Sequence, residues 1–293
     1  MKDMGEADVI LGIRIKHESN EITISQFYYI EKVLKKFNYF DCTPVNTPMD
    51  TSEKLIPNNG KDVSQLEYLR IIGYLMYAMT CTRPDISFVV GKMSRYISNP
   101  STQHWQAIQR VLNYLKKTMD YSLTYTSYPS VLEGYTYASW ISNTKDNSST
   151  SGWVFLLGGS AISWASKKQT CITSSIIESE FVALVVASKE AEWLRNLVLK
   201  IPLWSKPIAP ISIHCDSAAT LVKAYSQMYN GKSRHLGVRH SMIRELIMNG
   251  VVSIEFVKSQ QNLFDHLTKG LARDMVLKSV EGMGLKFNSV AEC

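Results

Sequence analysis

Between Glu133 and Ala165 the chain runs through short β-branched and aromatic segments, Glu133–Ile141, Trp153–Leu157 and Ala161–Ala165, broken by Gly152, Gly158 and Gly159. Short runs punctuated by glycine predict an antiparallel meander. A long helical pattern over Ser174–Lys200 follows, then a strand over Ile208–Cys215, helices over Ala218–Tyr225 and His240–Asn249, a strand over Val252–Lys258, and a final helix. Consecutive strands followed by alternating helices and strands allow few arrangements. The fold class read from them is an α+β or mixed α/β sheet with helices packed on it.

Upstream the pattern differs. Val9–Lys16 and Glu21–Ser25 read as strands around His17-Glu18-Ser19-Asn20, and Ser25 reads as the cap of a helix through about Asn38. Ile30, Val33, Leu34 and Phe37 recur on one face of that helix. Thr43–Gly60, with Pro44, Pro48, Pro57 and Gly60, reads as an extended linker. Helical patterns resume at Gln65–Thr80, Ile86–Ile97 and His104–Lys117, with Pro84 and Asp85 suited to a helix start. Ser122–Thr126 reads as the first strand of the meander.

Composition narrows the class. An apolar fraction of 45% suits a folded globular chain. The net charge of +6 is compatible with a polyanion partner, and the excess is clustered. Lys223, Lys232, Arg234, Arg239 and Arg244, with His235 and His240, face the single acid Glu245, so this run reads either as a nucleic-acid face or as a solvated surface. Five scattered cysteines without a CxxC pair argue against a disulfide framework and a structural zinc site. The polar start Met1–Glu6 and the absence of a long apolar run lead to the expectation of an intracellular protein, cytoplasmic or nuclear, neither secreted nor in a membrane.

Three acids stand out. Glu180 opens a stripe otherwise made of Leu184, Ala187, Ala191 and Leu194, whereas Glu178 lies about 200° around the helix. A carboxylate on a sheet-facing stripe needs a partner, a cation or a shifted pKa, although Glu180 taken alone reads better as a helix cap or as a side chain reaching water at the helix N-terminus. Asp216 ends a strand, a common functional position, and reads equally well as an N-cap. Asp265, before Leu267-Thr268-Lys269, has the same two readings.

Taken with further ordered segments, these residues carry a resemblance. They are Ile10-Leu11-Gly12-Ile13, Thr82-Arg83-Pro84-Asp85-Ile86, Ser98-Asn99-Pro100 with His104-Trp105, Ser149-Thr150-Ser151-Gly152, and Trp164 through Gln169. Glu178-Ser179-Glu180-Phe181, Glu190-Ala191-Glu192-Trp193-Leu194, His235 with Arg239-His240, and Leu267-Thr268-Lys269-Gly270 complete the set. From about Val9 to about Leu285 the chain resembles the end of the Pol polyprotein of copia-type LTR retrotransposons.

The resemblance implies four parts: a C-terminal remnant of reverse transcriptase at 1–48, a linker and helical connection at 49–125, a ribonuclease H-like domain at 126–272, and a tail at 273–293. It implies an Asp–Glu–Asp–Asp set holding two magnesium ions that act on RNA paired to DNA. Glu180, Asp216 and Asp265 match three of these ligands, and Tyr137 stands where the first aspartate belongs. Lys232, Arg234, His235, Arg239, His240 and Asn262 are candidates for gripping the hybrid backbone.

A phenol ionises only near pH 10 and is a poor ligand for a hard dication. Glu133, on the same strand face, is roughly 13 Å away along the strand and too far to substitute. The expectation is a nuclease scaffold with lost or strongly reduced cleavage. The alternative is a nucleic-acid-binding module without catalysis, or an inactive remnant of a transposable element. No Tyr-x-Asp-Asp occurs, so the chain by itself is expected not to synthesise DNA. Other Pol segments are the expected protein partners.

Overall fold

The computed structural model describes residues 7–52, 55–58, 60, 63–126, 131–143, 147–202, 204, 206–229, 231, 233–259, 262, 267–270 and 272–287. In chain order the strands are β1 (Val9–Ile10), β2 (Ile13–His17), β3 (Glu21–Ser25), β4 (Tyr121–Thr126), β5 (Glu133–Asn143), β6 (Ser148–Leu157), β7 (Ser160–Lys168), β8 (Ile211–Cys215), β9 (Val252–Phe256) and β10 (Leu285–Phe287). The helices are α1 (Phe27–Lys36), α2 (Gln65–Cys81), α3 (Ser87–Met93), α4 (Thr102–Lys117), α5 (Ile176–Leu199), α6 (Ala218–Tyr225), α7 (Arg234–Met248) and α8 (Arg273–Gly282). The chain divides into two compact units. One is Met1–Pro129 with Gly158–Ala161 and Gly270–Cys293; the other is Ser130–Leu157 with Ile162–Lys269.

In the first unit the sheet order is β1-β2-β3-β4-β10, with antiparallel ladders throughout. Ile30, Val33 and Leu34 of α1 are buried, as the three-and-four spacing requires, and pack with Ile71, Ile72, Leu75, Val90, Ile108 and Leu112. Two expectations are corrected here. Ser25 does not cap α1, because it is the last residue of β3, opposite Arg14 and Ser122; Gln26 holds the cap position. The strand at 122–126 is not part of the meander, because it pairs with β3 from Glu21↔Thr126 to Ser25↔Ser122. Alternation marks a segment as a strand but does not name its partner.

The segment read as a tail holds α8, with Val276 and Val280 buried, and β10, which pairs with β4 through Leu285↔Leu123. The described residues of 43–60 form no helix or strand. Side-chain bonds tie them down: Arg110 donates to Thr47 Oγ1 at 2.9 Å, and Asn58 Nδ2 donates to Asn99 Oδ1 at 3.0 Å. Pro84 and Asp85 open a short 3₁₀ turn over Pro84–Ile86. Asp85 is there for a different reason from the helix dipole. It accepts from the fully buried Arg83 at 3.0 and 2.6 Å and from the Tyr114 hydroxyl at 2.8 Å.

The second unit is built on a sheet of order β7-β6-β5-β8-β9. β5 is antiparallel to β6 and parallel to β8, and β8 is parallel to β9. This is the mixed, ribonuclease H-like sheet that the resemblance implies. Leu184, Ala187, Ala191 and Leu194 of α5 are buried with Phe155, Ile211, Ile213, Leu236 and Ile243. Gly134 of β5 is required by that packing, since a Cβ there would lie 2.3 Å from Phe155 Cε1.

Two elements begin earlier than the sequence pattern indicates. β6 starts at Ser148, because its polar residues are buried and paired: Gln169 Nε2 donates to Ser151 Oγ at 2.9 Å, and Ser149 and Thr173 share a bond at 3.3 Å. α7 starts at Arg234, because Leu236, His240, Ile243 and Leu246 form one buried stripe that includes a histidine. Hydrophobic periodicity does not register polar residues that are buried in pairs.

Candidate functional site

The carboxyl ends of β5 and β8 lie side by side, with Thr136 opposite Cys215 as the last pair of their ladder. Asp216 leaves β8 at that point. Glu180 stands in the first turns of α5, whose N-terminus Ser175 caps by accepting the Glu178 N–H at 3.3 Å. Glu178 reaches back to the Ser174 N–H and hydroxyl, both at 2.8 Å, so it serves the cap and Glu180 alone turns to the sheet. Glu180 is only 4% exposed, and its Oε2 accepts the Ala138 N–H at 3.1 Å. That contact joins α5 to β5 one residue past Tyr137.

Donor atoms of Glu180, Cys215 and Asp216 all lie within 4.8 Å of one another. Cys215 is fully buried and Asp216 half-buried. Burial, together with the negative charge of Glu180 and Asp216, pushes the Cys215 thiol up to about 12. Tyr137 is half-buried and pairs with Gly152 of β6. The Lys269 ammonium lies 5.2 Å from its ring centre. A Cβ on Gly152 would meet Leu267 Cβ and Thr268 Cγ2 at 2.9 Å, so glycine there lets the 267–269 segment approach β6 closely.

The structure therefore brings Glu180 and Asp216 together. Asp265 and Lys232 lie outside the described residues. Asn262 is 2% exposed and donates Nδ2 to Thr136 O at 3.3 Å. His240 is also buried: its Nε2 bonds to Lys223 O at 3.1 Å, and its ring packs with Phe181 and Tyr229. It holds α7 against α5 and offers no surface to a ligand. Arg234 and His235 are exposed in the first turn of α7, and Arg239 donates to His235 O at 3.1 Å.

Three residues join the picture only in three dimensions. Cys215 reads in sequence as a core position of β8. Lys269 reads as part of a motif with no stated role. Lys223, in the basic run, places its ammonium 5.0 Å from the Phe181 ring and 5.2 Å from the Tyr229 ring. Among the described residues no helix is long and apolar enough to cross a membrane.

Residues 1–51 match the family described as Reverse transcriptase (RNA-dependent DNA polymerase). The retrovirus-related Pol polyprotein from transposon TNT 1-94 of Nicotiana tabacum is 34% identical over 98% of this chain. This chain spans 22% of that protein's length. Secreted RxLR effector protein 161 of Plasmopara viticola is 42% identical over 45% of this chain and 94% of that protein. Among solved structures, LC11-RNase H1 in complex with an RNA/DNA hybrid is 16% identical, with a TM-score of 0.36, over 47% of this chain and 93% of that one. By its similarity along nearly its whole length, the chain belongs to the Pol polyproteins of copia-type retrotransposons.

Proposed function

We propose that the second unit of this chain is a ribonuclease H-like module that holds RNA paired to DNA and cleaves it little or not at all. The observation that carries this reading is Tyr137, one residue before the Ala138 N–H that Glu180 accepts, with the Lys269 ammonium 5.2 Å from its ring centre. Two magnesium ions ask for oxygen ligands in near-octahedral arrangement. Among the described residues the cluster supplies two carboxylates and a thiol, and a phenol at the position of the first aspartate is a poor ligand for a hard dication. Removing one central electrostatic group from a catalytic site costs on the order of 10²–10³ in rate.

Binding has separate support. Arg234, His235 and Arg239 occupy the first turns of α7, and the neighbouring Lys223 ammonium lies against aromatic rings. Cations so placed suit a phosphate backbone, whose contribution to affinity falls steeply with salt.

The test is magnesium-dependent cleavage of a labelled RNA–DNA hybrid by this chain and by its Tyr137→Asp variant, with hybrid affinity measured across a salt series. Cleavage only in the variant, and affinity whose salt slope drops by about one for each of Arg234 and Arg239 changed to alanine, are the expected results. Efficient cleavage by the unaltered chain would overturn the loss of catalysis. Affinity indifferent to both arginines would overturn the binding reading and leave an inactive remnant.

A further inference from the structure

We infer that α1, α2 and α4 of the first unit present a basic face that holds a nucleic-acid phosphate backbone without sequence preference. The choice of nucleic acid among polyanions rests on the hybrid-holding function proposed above. The face itself is built from none of the residues that carry that function.

Three helices contribute to it. On α1, Lys32, Lys35 and Lys36 fall within an arc of about 100°, opposite the buried Ile30, Val33 and Leu34. Lys116 and Lys117 end α4. The Lys35 and Lys116 ammoniums lie 5.0 and 3.8 Å from the centre of one ring, that of Phe40. Lys36 donates to the Tyr74 hydroxyl of α2 at 2.6 Å and lies 4.8 Å from the centre of that ring. That bond, with the charges of Lys36, Lys32 and Arg70, holds the Tyr74 phenol below its ordinary pKa, so Lys32 and Arg70 act on the same place.

A lysine pair in the last turn of a helix is often placed by the helix dipole alone. The dipole accounts for each pair on its own helix. It does not account for Lys35 and Lys116 meeting on one ring, or for Lys32 and Arg70 beside Tyr74. The acids on these helices and in the turn after α1 are Glu31, Asp41 and Glu67, and Glu31 is already paired with Lys35 at 2.7 Å. Cations gathered on aromatic rings with few acids among them repel one another, and an anion laid across them removes that repulsion. Lysine is a point charge without a fixed fork of donors. Five lysines and one arginine therefore match backbone phosphates, which position a nucleic acid, rather than base edges, which specify it.

The test is binding of a labelled RNA–DNA hybrid to the full chain across a salt series, read by fluorescence anisotropy, with circular dichroism as the check on folding. Changing Lys32, Lys36 and Lys116 together to glutamine is expected to reduce the slope of log affinity against log salt by about one for each lysine, equally for two unrelated hybrid sequences. Lys32→Arg, Lys36→Arg and Lys116→Arg together should keep the slope. Glutamine at Lys200, Lys206 and Lys278, three exposed lysines elsewhere, should also leave it. An unchanged slope in the folded glutamine variant, an equal loss from the three control lysines, or a loss confined to one sequence would each overturn the face. Vesicles of phosphatidylserine that bind through these lysines, with hybrid affinity unchanged, would assign the face to a membrane surface and overturn it too. Arg234 and Arg239 are changed in separate variants. Affinity that ignores those arginines and follows the lysines would remove the proposed hybrid site and leave this face standing, and no hybrid binding by the unaltered chain would remove both.

Discussion

The Lys269 ammonium lies 5.2 Å from the centre of the Tyr137 ring, within cation–π range. A positive side chain thus sits beside the strand position where the resemblance implies a negative one. Tyr137→Asp adds a carboxylate one residue from the N–H that Glu180 holds. Without a dication the added acid repels Glu180 and Asp216 and lowers stability. With one, on the proposed reading, it completes the ligand set. The variant's Tm is therefore expected to rise with Mg²⁺, by the equivalent of about 2.7 kcal/mol at a hundred times the dissociation constant. The unaltered chain should show no such rise. Differential scanning fluorimetry over a Mg²⁺ series reads both.

Glu180 also has a mechanical role that is separable from its charge. Glu180→Ala leaves the Ala138 N–H buried and unpaired, a loss of about 1–3 kcal/mol. Glu180→Gln keeps an acceptor oxygen in place and should cost far less. Urea unfolding of the two variants distinguishes them, and equal losses would show that the bond to Ala138 carries no stability.

In the first unit, Arg83 and Asp85 are fully buried and paired at 2.6 Å, and Arg83 also donates to Thr118 O at 3.0 Å. Asp85→Ala strands a guanidinium in the core, and a loss of about 3–5 kcal/mol is expected. Replacing both partners by apolar residues, Arg83→Met with Asp85→Leu, should cost less than the single change. A double-mutant cycle by chemical denaturation measures the difference.

His104 makes stability depend on pH. Its Nδ1 accepts the Ser101 N–H at 2.9 Å in the capping box of α4, its ring stacks on Tyr96, and burial holds its pKa below the ordinary histidine value. The folded chain therefore favours the neutral ring. The stability this supplies is present above the unfolded value, near 6.5, and is lost as pH falls from there toward the folded value. Melting temperature should drop between pH 7.5 and about 5.5, and His104→Gln, which keeps a capping side chain, should flatten that drop.

Much of the fold was legible because its elements obey simple periods. The apolar stripe of α5 and the alternation of Ile211, Ile213 and Cys215 named a helix and a strand with inward faces, and burial follows those faces. Glu180 was legible as the odd residue on its stripe, and Tyr137 as the departure from an acidic pattern. The start of β6 was not legible, since Ser148–Ser151 is polar and buried only because Thr173 and Gln169 supply its partners. The role of His240 was hidden for the same reason: a basic residue in a basic run reads as surface until Phe181 and Tyr229 enclose it.

The sequence by itself determined most of the helices and strands and which of their faces turn inward, because these follow from local spacing and residue type, while the acid replaced by Tyr137 was legible only through the family resemblance. Only the tertiary structure decided that β4 pairs with β3 and β10, that Cys215 joins the two acids, and that Lys269 covers Tyr137. Such pairings depend on backbone hydrogen bonds and distances between residues far apart in the chain, and no periodicity encodes them.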